Sequence, residues 1–166
     1  KTVPDLFEVV SGKVGVDQVR DIDIEDLLGR DAVPPDPKLL DACILNQSVL
    51  ITGAAGSIGA ELCRQIIAVR PSKIIILDAF EYGLYELENE LLSMIKLLGD
   101  DVEIQLVACL GSVCNAAFLD SVIKRYDVET IYHVAAYKQV PMVEKNIVEG
   151  ARNNVFGTLV SAQAAE

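Results

Sequence analysis

Val49-Leu-Ile-Thr-Gly-Ala-Ala-Gly-Ser-Ile-Gly59 is the stretch that decides the fold. Its first half lies in Ser48 to Thr52 (SVLIT), a short apolar and partly β-branched run, the pattern of a strand buried on both faces. Its second half opens a helical pattern from Ser57 to Val69, with Ile58, Leu62, Ile66 and Val69 on one face and Pro71 just past the end. Between the two, glycines fall at 53, 56 and 59. Gly53 permits a sharp turn off the strand, Gly56 leaves the backbone bare, and Gly59 lets the helix pack closely. Bare amides and the positive end of the helix dipole then make a seat for an anionic diphosphate. No Lys follows Gly59, which excludes the phosphate loop of nucleoside triphosphatases.

The elements on either side repeat the same alternation. Lys73 to Asp78 (KIIILD) reads as a second buried strand. Glu81 to Leu98 reads as a helix, with Leu84, Leu87, Leu91 and Ile95 aligned and Gly99 closing it. Glu103 to Val107 is expected as a third strand, Asn115 to Tyr126 as a third helix, Thr130 to Val134 as a fourth strand, and about Glu149 to the end as a last helix. Strands and helices alternating over short connections predict a parallel sheet with right-handed crossovers and helices on both faces. The expected architecture is α/β, an incomplete Rossmann-type sheet in strand order 3-2-1-4 over residues 47–166. Residues 1–46 are punctuated by Pro4, Pro34, Pro35 and Pro37, and read as an irregular arm with one short helix near Ile24 to Leu28.

In such a sheet, ligands bind beyond the carboxyl ends of the strands. Asp78 ends the second strand, nineteen residues past Gly59 (59 to 78), where a carboxylate accepts hydrogen bonds from the adenosine ribose. The same charge repels a 2′-phosphate and favours NAD over NADP. Ala55 in the loop and Ala79 after the strand join this expected cofactor site, and Ser112 and Val113 border the adenine. After the fourth strand, small Ala135 and Ala136 let the cofactor lie against the backbone, and Lys138 supplies a cation near ribose and pyrophosphate. Asn154 reaches back toward that loop from the last helix. A solvated loop lysine and a surface amide are the plain alternatives for Lys138 and Asn154, and a tight strand-to-helix turn without a ligand is the plain alternative for the glycine loop. His133, the one histidine, is expected to pack at its strand end.

Composition narrows the partners. Fourteen basic residues against twenty-five acidic ones give a formal charge of -11, which disfavours nucleic acid and anionic lipid. Cys43, Cys63, Cys109 and Cys114 form no CxxC pair, so thiols in a reducing cytoplasm are expected rather than a metal site or a disulfide. No apolar run is long enough to span a bilayer, so no direct membrane contact is expected.

Three motifs carry a family resemblance: TGAAGSIG at Thr52 to Gly59, HVAAYK at His133 to Lys138, and NNVFGT at Asn153 to Thr158. Together they resemble the extended short-chain dehydrogenase/reductase superfamily. DLLGR at Asp26 to Arg30, TGAAGSIGAELCRQI at Thr52 to Ile66, and AAYKQVPMVEKN at Ala135 to Asn146 narrow the resemblance to the bacterial polysaccharide-biosynthesis UDP-N-acetylglucosamine 4,6-dehydratase group. A sugar-nucleotide 4-epimerase of the same superfamily and a noncatalytic dinucleotide-binding module are the alternatives. The resemblance implies a hydride relay: NAD accepts hydride from sugar C4, water leaves across C5 and C6, and the hydride returns to C6. It implies that Gly53, Gly56, Ser57, Ile58 and Gly59 hold the pyrophosphate and Asp78 the ribose. Phe80 then falls near the adenosine. Ala135, Ala136 and Lys138 line the nicotinamide side, with Asn154 in support, and Val140, Pro141 and Glu144 approach the UDP-sugar.

The chain departs from the family pattern at Ser112, where Asp is usual, at Phe80, where Ser is frequent, and at Gln139, where His is usual. The family's catalytic run, Ser/Thr-Asp-Lys followed by Met or Tyr and then Lys, does not occur in the sequence, so no catalytic residue is expected in this chain. The expectation is a segment of a longer enzyme, inactive alone, whose parent carries N-terminal membrane helices. An uncovered fourth strand predicts a homo-oligomer.

Overall fold

The computed structural model describes residues 36–99 and 102–166. Their elements run α1 Pro37–Ile44, β1 Ser48–Thr52, α2 Ser57–Ala68, β2 Lys73–Asp78, α3 Glu81–Leu97, β3 Gln105–Leu110, α4 Ala116–Tyr126, β4 Thr130–His133, α5 Val140–Lys145 and α6 Ile147–Ala151, then a π-turn Arg152–Phe156 and α7 Gly157–Ala164. The four strands form one parallel sheet in the order β3-β2-β1-β4. This is the expected Rossmann-type order.

Pleating explains why β1 and β2 are apolar throughout. Successive side chains point to opposite faces, so a strand covered on both sides needs an unbroken apolar run. Val49 and Ile51 of β1, with Ile74 and Ile76 of β2, face a cluster containing Cys63, Ile66 and Ile67 of α2 and Leu84, Leu87 and Leu91 of α3. Leu50, Ile75 and Leu77 face the other way, onto Val113 and onto Leu119 and Val122 of α4. Each such side chain contributes about 1.5–3 kcal/mol by leaving water. Exposed pairs add little beside that: Arg64 of α2 reaches Glu61 at 3.1 Å and Glu90 of α3 at 2.6 Å.

The structure corrects four expectations. The buried face of α2 is Gly59, Cys63, Ile66 and Ile67, while Ile58 is 59% exposed. The first turn of that face is a glycine because Gly59 abuts the Gly53 oxygen and the Ala54 backbone, where no side chain fits. Next, β3 is not Glu103 to Val107: it starts at Gln105 and pairs with β2 through Asp78↔Leu110, so Ala108 to Leu110 are strand rather than loop. Their small and sulfur-bearing side chains had masked the continuing ladder. The loop after β4 is not irregular to residue 148: α5 begins with Pro141 in its first turn, where a missing N–H does no harm. The terminal helix is interrupted by the π-turn Arg152–Phe156.

A further helix, α1, was unforeseen. Asp36 caps it by accepting from the Lys38 N–H at 2.9 Å, Pro37 starts it, and Ile44 enters the core. The helix expected near Ile24 to Leu28 lies outside the described residues. Among the described residues, no helix is long and apolar enough to cross a membrane.

Candidate functional site

The turn between β1 and α2 is shaped by backbone contact. Gly53 sits at φ 67, in the left-handed region, and a Cβ on it would lie 2.6 Å from both Cα and N of Ala135 in the loop after β4. A Cβ on Gly59 would strike the Gly53 carbonyl oxygen and the Ala54 backbone. These two glycines therefore let the turn, α2 and the β4 loop close on one another. Gly56 differs. It has an ordinary φ of -72, and a Cβ built on it meets the Gly53 oxygen at 3.3 Å.

Gly56 is also the N-cap of α2, and as a glycine it offers no side chain to the first-turn amides. The first intrahelical bond runs from the Ala60 N–H to the Gly56 carbonyl, and the first turn holds no acidic side chain. Among the described residues, the N–H groups of Ser57, Ile58 and Gly59 thus have no capping acceptor, and Gly59 is buried. Uncapped amides with the positive end of a helix dipole are an anion seat. Lys138 strengthens it, because its Nζ reaches Ser57 Oγ at 3.0 Å and sets a cation beside the helix start.

Beside this seat a cleft of about 260 Å³ is lined by Gly53, Ala55, Gly56, Asp78, Ala79, Phe80, Ser112, Val113, Ala135 and Ala136, all expected, and by Leu77, Gly111, Val134, Tyr137 and Asn153. Asp78 closes its floor, with Oδ2 accepting from the Ala55 N–H and Oδ1 from the Phe80 N–H, both at 2.9 Å. The carboxylate thereby ties the glycine turn to the end of β2 and leaves lone pairs for a ligand hydroxyl.

The opposite wall is held by side chains. Asn154 pairs with the backbone of Tyr137 as a neighbouring strand would: Oδ1 accepts from the Tyr137 N–H at 2.8 Å, and Nδ2 donates to its carbonyl at 3.0 Å. Asn153 Nδ2 donates to Asn154 Oδ1 at 3.1 Å. Both amides lie in the π-turn, whose extra residue lets consecutive asparagines reach the same loop. His133 braces that turn from below. Thr158 Oγ1 donates to the Asn154 carbonyl at 2.7 Å, so it accepts from His133 Nε2 at 3.1 Å, and His133 Nδ1 in turn accepts from the buried Thr52 hydroxyl at 2.8 Å. The network assigns the neutral Nε2–H tautomer. Burial holds the imidazole below its ordinary pKa, in keeping with that neutral form.

Ser57, Ile58, Gly59, Lys138 and Asn154 do not line the cleft. The first three bring main-chain amides to its edge, Lys138 stands at the helix start, and Asn154 acts through Tyr137. A second cavity of about 550 Å³ adjoins it through Ala136 and Tyr137, and is lined also by Lys138, Gln139, Met142, Val143, Asn146, Glu149 and Gly150. Val140, Pro141 and Glu144 lie on α5 but outside this lining. One turn of helix points Met142 and Val143 into the cavity instead, which a loop reading of that segment hides. Among the described residues, no group of three or more His, Cys, Asp or Glu is arranged to hold a metal.

A family model described as polysaccharide biosynthesis protein matches residues 49–166. The chain belongs to the polysaccharide biosynthesis protein family. Its sheet order and glycine turn are those of the extended short-chain dehydrogenase/reductase superfamily. Among relatives in this family, the capsular polysaccharide biosynthesis protein CapD of Staphylococcus aureus is 37% identical over 99% of this chain. The probable polysaccharide biosynthesis protein EpsC of Bacillus subtilis is 36% identical over 100% of it. The chain spans 26% of the first and 27% of the second. Among solved structures, the Bordetella bronchiseptica enzyme WbmG in complex with NAD and UDP is 26% identical with a TM-score of 0.54, over 70% of this chain and 33% of that one.

Tyr137, Asn153, Leu77, Gly111 and Val134 are the lining residues that sequence reading missed. Tyr137 and Asn153 had a signal, since each is the neighbour of a residue singled out. Leu77, Gly111 and Val134 likewise adjoin Asp78, Ser112 and Ala135, but which of them face the cleft depends on where β2, β3 and β4 end.

Proposed function

We propose that this chain is the NAD-binding segment of a sugar-nucleotide 4,6-dehydratase of the UDP-N-acetylglucosamine type, acting in polysaccharide biosynthesis. The observation that carries the reading is the uncapped start of α2, opening beside a cleft whose far corner is a strand-end carboxylate. The pyrophosphate rests on the amides of Ser57, Ile58 and Gly59, with Gly56 giving it room. The adenosine ribose hydroxyls donate to Asp78, whose negative charge disfavours a 2′-phosphate and so favours NAD over NADP. Ala135, Ala136 and Tyr137 carry the cofactor toward the second cavity.

Size supports a ligand in two parts. The first cleft, at about 260 Å³, falls just short of the roughly 300–1,000 Å³ of pockets that enclose a small molecule. The adjoining cavity of about 550 Å³ falls within it. The nicotinamide end and the sugar of a UDP-sugar meet where the two share Ala136 and Tyr137. When bound, the nicotinamide supplies hydride acceptance and return. This chain's residues orient that ring and exclude water from one side of it. Protonation and deprotonation of the sugar fall to residues of a longer protein, because the family's Ser/Thr-Asp-Lys run is not in this sequence. The reading is supported by family membership and by the NAD and UDP complex of WbmG.

Gly56→Val is the decisive test, because a Cβ at Gly56 meets the Gly53 oxygen at 3.3 Å, a contact that a shift of a few tenths of an ångström relieves, while a branched side chain would stand where the pyrophosphate is proposed to rest. Calorimetry is expected to show NAD binding to the wild type, weaker binding of NADP, and at least about 100-fold weaker NAD binding to the variant, a loss of roughly 2.7 kcal/mol. Thermal unfolding should be little changed. Equal NAD affinity in both proteins would reject the assignment.

A further inference from the structure

His133 is the one histidine of the sequence, and its ring links β1 to α7 without lining the cleft. β1 and β4 pair with Thr52 opposite His133, so both side chains point to the same face of the sheet. Both ring nitrogens are engaged, Nδ1 by Thr52 Oγ1 at 2.8 Å and Nε2 by Thr158 Oγ1 at 3.1 Å. Thr158 commits its own hydrogen to the Asn154 carbonyl, so it accepts from the ring. A ring that donates at Nε2 accepts at Nδ1 only while it is neutral.

The far end of this relay is the ligand loop. Asn154 holds the N–H and the carbonyl of Tyr137, and Tyr137 lines both cavities. Two residues earlier, the Ala135 backbone abuts Gly53, where an added Cβ would come within 2.6 Å. The loop that the brace holds is therefore the loop that faces the glycine turn, and its position sets the width of the cleft.

The groups around the ring are uncharged. β1 presents Thr52, α7 presents Thr158, and the π-turn presents the Asn154 carbonyl through Thr158. On β4 itself, Tyr132 packs into the cluster on the other face of the sheet. The charged side chains of the neighbouring segments are engaged elsewhere: Arg152 with Glu149, Lys138 with Ser57, and Asp78 with two backbone N–H groups. Burial is the one cause acting on the imidazole, and it lowers the pKa from its ordinary 6.5.

We propose that His133 is a positioning residue for the dinucleotide: its neutral ring, acting through Thr158 and Asn154, holds the Tyr137 loop against the cleft, so dinucleotide binding and protonation of His133 oppose each other. The proposal rests on the dinucleotide reading of the cleft and adds how affinity at that site is regulated. An imidazolium carries N–H at both nitrogens, so it keeps its bond to Thr158 only by turning the buried Thr52 hydrogen aside. Protonation loosens the loop, and a ligand seated on the loop resists protonation by the same factor. Affinity is then full above the pKa of His133 in the free protein and declines as pH falls through it.

NAD titrations at pH 7.5 and 5.5 should show wild-type affinity falling about 3-fold, most of the roughly 5-fold that one hydrogen bond is worth. Affinity of His133→Asn should stay level over that range. Thr158→Val should bind about 5-fold more weakly at pH 7.5 and stay level below it, whereas Thr158→Ser, which keeps the hydroxyl, should follow the wild type. Carboxylates such as Asp78 act alike in all four proteins, so the difference in slope belongs to His133. Unfolding midpoints at both pH values check that each protein is folded where it is titrated. Proton NMR of the wild type reads the same coupling from the other side: the titration midpoint of the single imidazole should move down by about 0.7 pH unit under saturating NAD. A midpoint that NAD does not move, or His133→Asn with the wild-type slope, would overturn the proposal. A wild type that fails to bind NAD at pH 7.5 would instead bring down the reading of the whole cleft, and this proposal with it.

Discussion

The two walls of the cleft are built by different means. The β1–α2 wall is main chain against main chain: Gly53 against Ala135, Gly59 against Gly53 and Ala54, above strands with no exposed side chain. The β4 wall is loop, fixed by the amides of Asn153 and Asn154 and braced by Thr158, His133 and Thr52. Sterics of this kind are nearly all-or-none, because a backbone atom cannot turn aside. A hydrogen-bond brace weakens in steps of about 1 kcal/mol. Damage to the first wall should therefore be felt by the whole domain, and damage to the second mainly by the loop it holds.

The largest effect is expected at Gly59. An added methyl would overlap the Gly53 oxygen and lie 2.8 Å from the Ala54 Cα. Alanine gains about 1 kcal/mol in helix propensity over glycine, but overpacking against a fixed backbone costs more. Gly59→Ala should lower unfolding stability by about 3 kcal/mol net, read from the urea midpoint at unchanged slope. A stability within about 0.5 kcal/mol of wild type would mean that α2 slides freely on the turn and that the first wall is not rigid.

This contrast also governs what the sequence disclosed. The glycine turn was legible because Gly59 packs on Gly53 and Ala54, close in sequence, although Gly53 packs on the distant Ala135, and because β1 and β2, buried on both faces, carry unbroken apolar runs. Asp78 was legible for the same reason: it ends a strand whose limits were plain. The second wall was legible only in part: Asn154 was expected to reach the loop after β4, but not the backbone it clamps or the brace behind it. The clamp between Asn154 and Tyr137 spans 17 residues and depends on a π-turn that no periodicity announces. His133 was read as a packing residue, whereas its ring bonds Thr52, 81 residues earlier, and Thr158, 25 later. The face of α2 was misjudged because hydrophobicity favoured Ile58, while closeness to the turn favoured Gly59. Periodicity reports which residues are apolar, not how near the neighbouring backbone stands.

An intermediate effect is expected at Asn154. Asn154→Ala removes both bonds to the Tyr137 backbone and leaves that part of the loop to water. The loss should be about 1–2 kcal/mol in unfolding stability, less than at Gly59 because the loop is exposed and can find water instead. Amide exchange at Tyr137 should quicken while exchange in β1 stays unchanged. Asn154→Asp should not rescue it, because one carboxylate oxygen would then face the Tyr137 carbonyl. If exchange accelerated equally in β1, the two walls would be one cooperative unit and the distinction drawn between them would fail.

The smallest effect sharpens the comparison by changing a single proton. Neutral His133 accepts from the Thr52 hydroxyl. An imidazolium would present an N–H to that oxygen and force the Thr52 hydrogen toward a core in which Thr52 is 0% exposed. Burial lowers the folded pKa below the ordinary value of 6.5. An unfolded chain then takes up the proton first as pH falls. Stability is fully present above that ordinary value and declines as pH drops through the folded one. The sequence has one histidine, so no other imidazole shares this window. Urea midpoints taken from pH 7.5 down to 5.5 should fall for the wild type and stay nearly level for His133→Asn. Within that series, amide exchange at Tyr137 should quicken before exchange in β2 does, because the brace feeds the loop and not the glycine turn. Parallel curves for the two proteins would remove His133 from the brace and leave Asn153 and Asn154 as the only hold on the second wall.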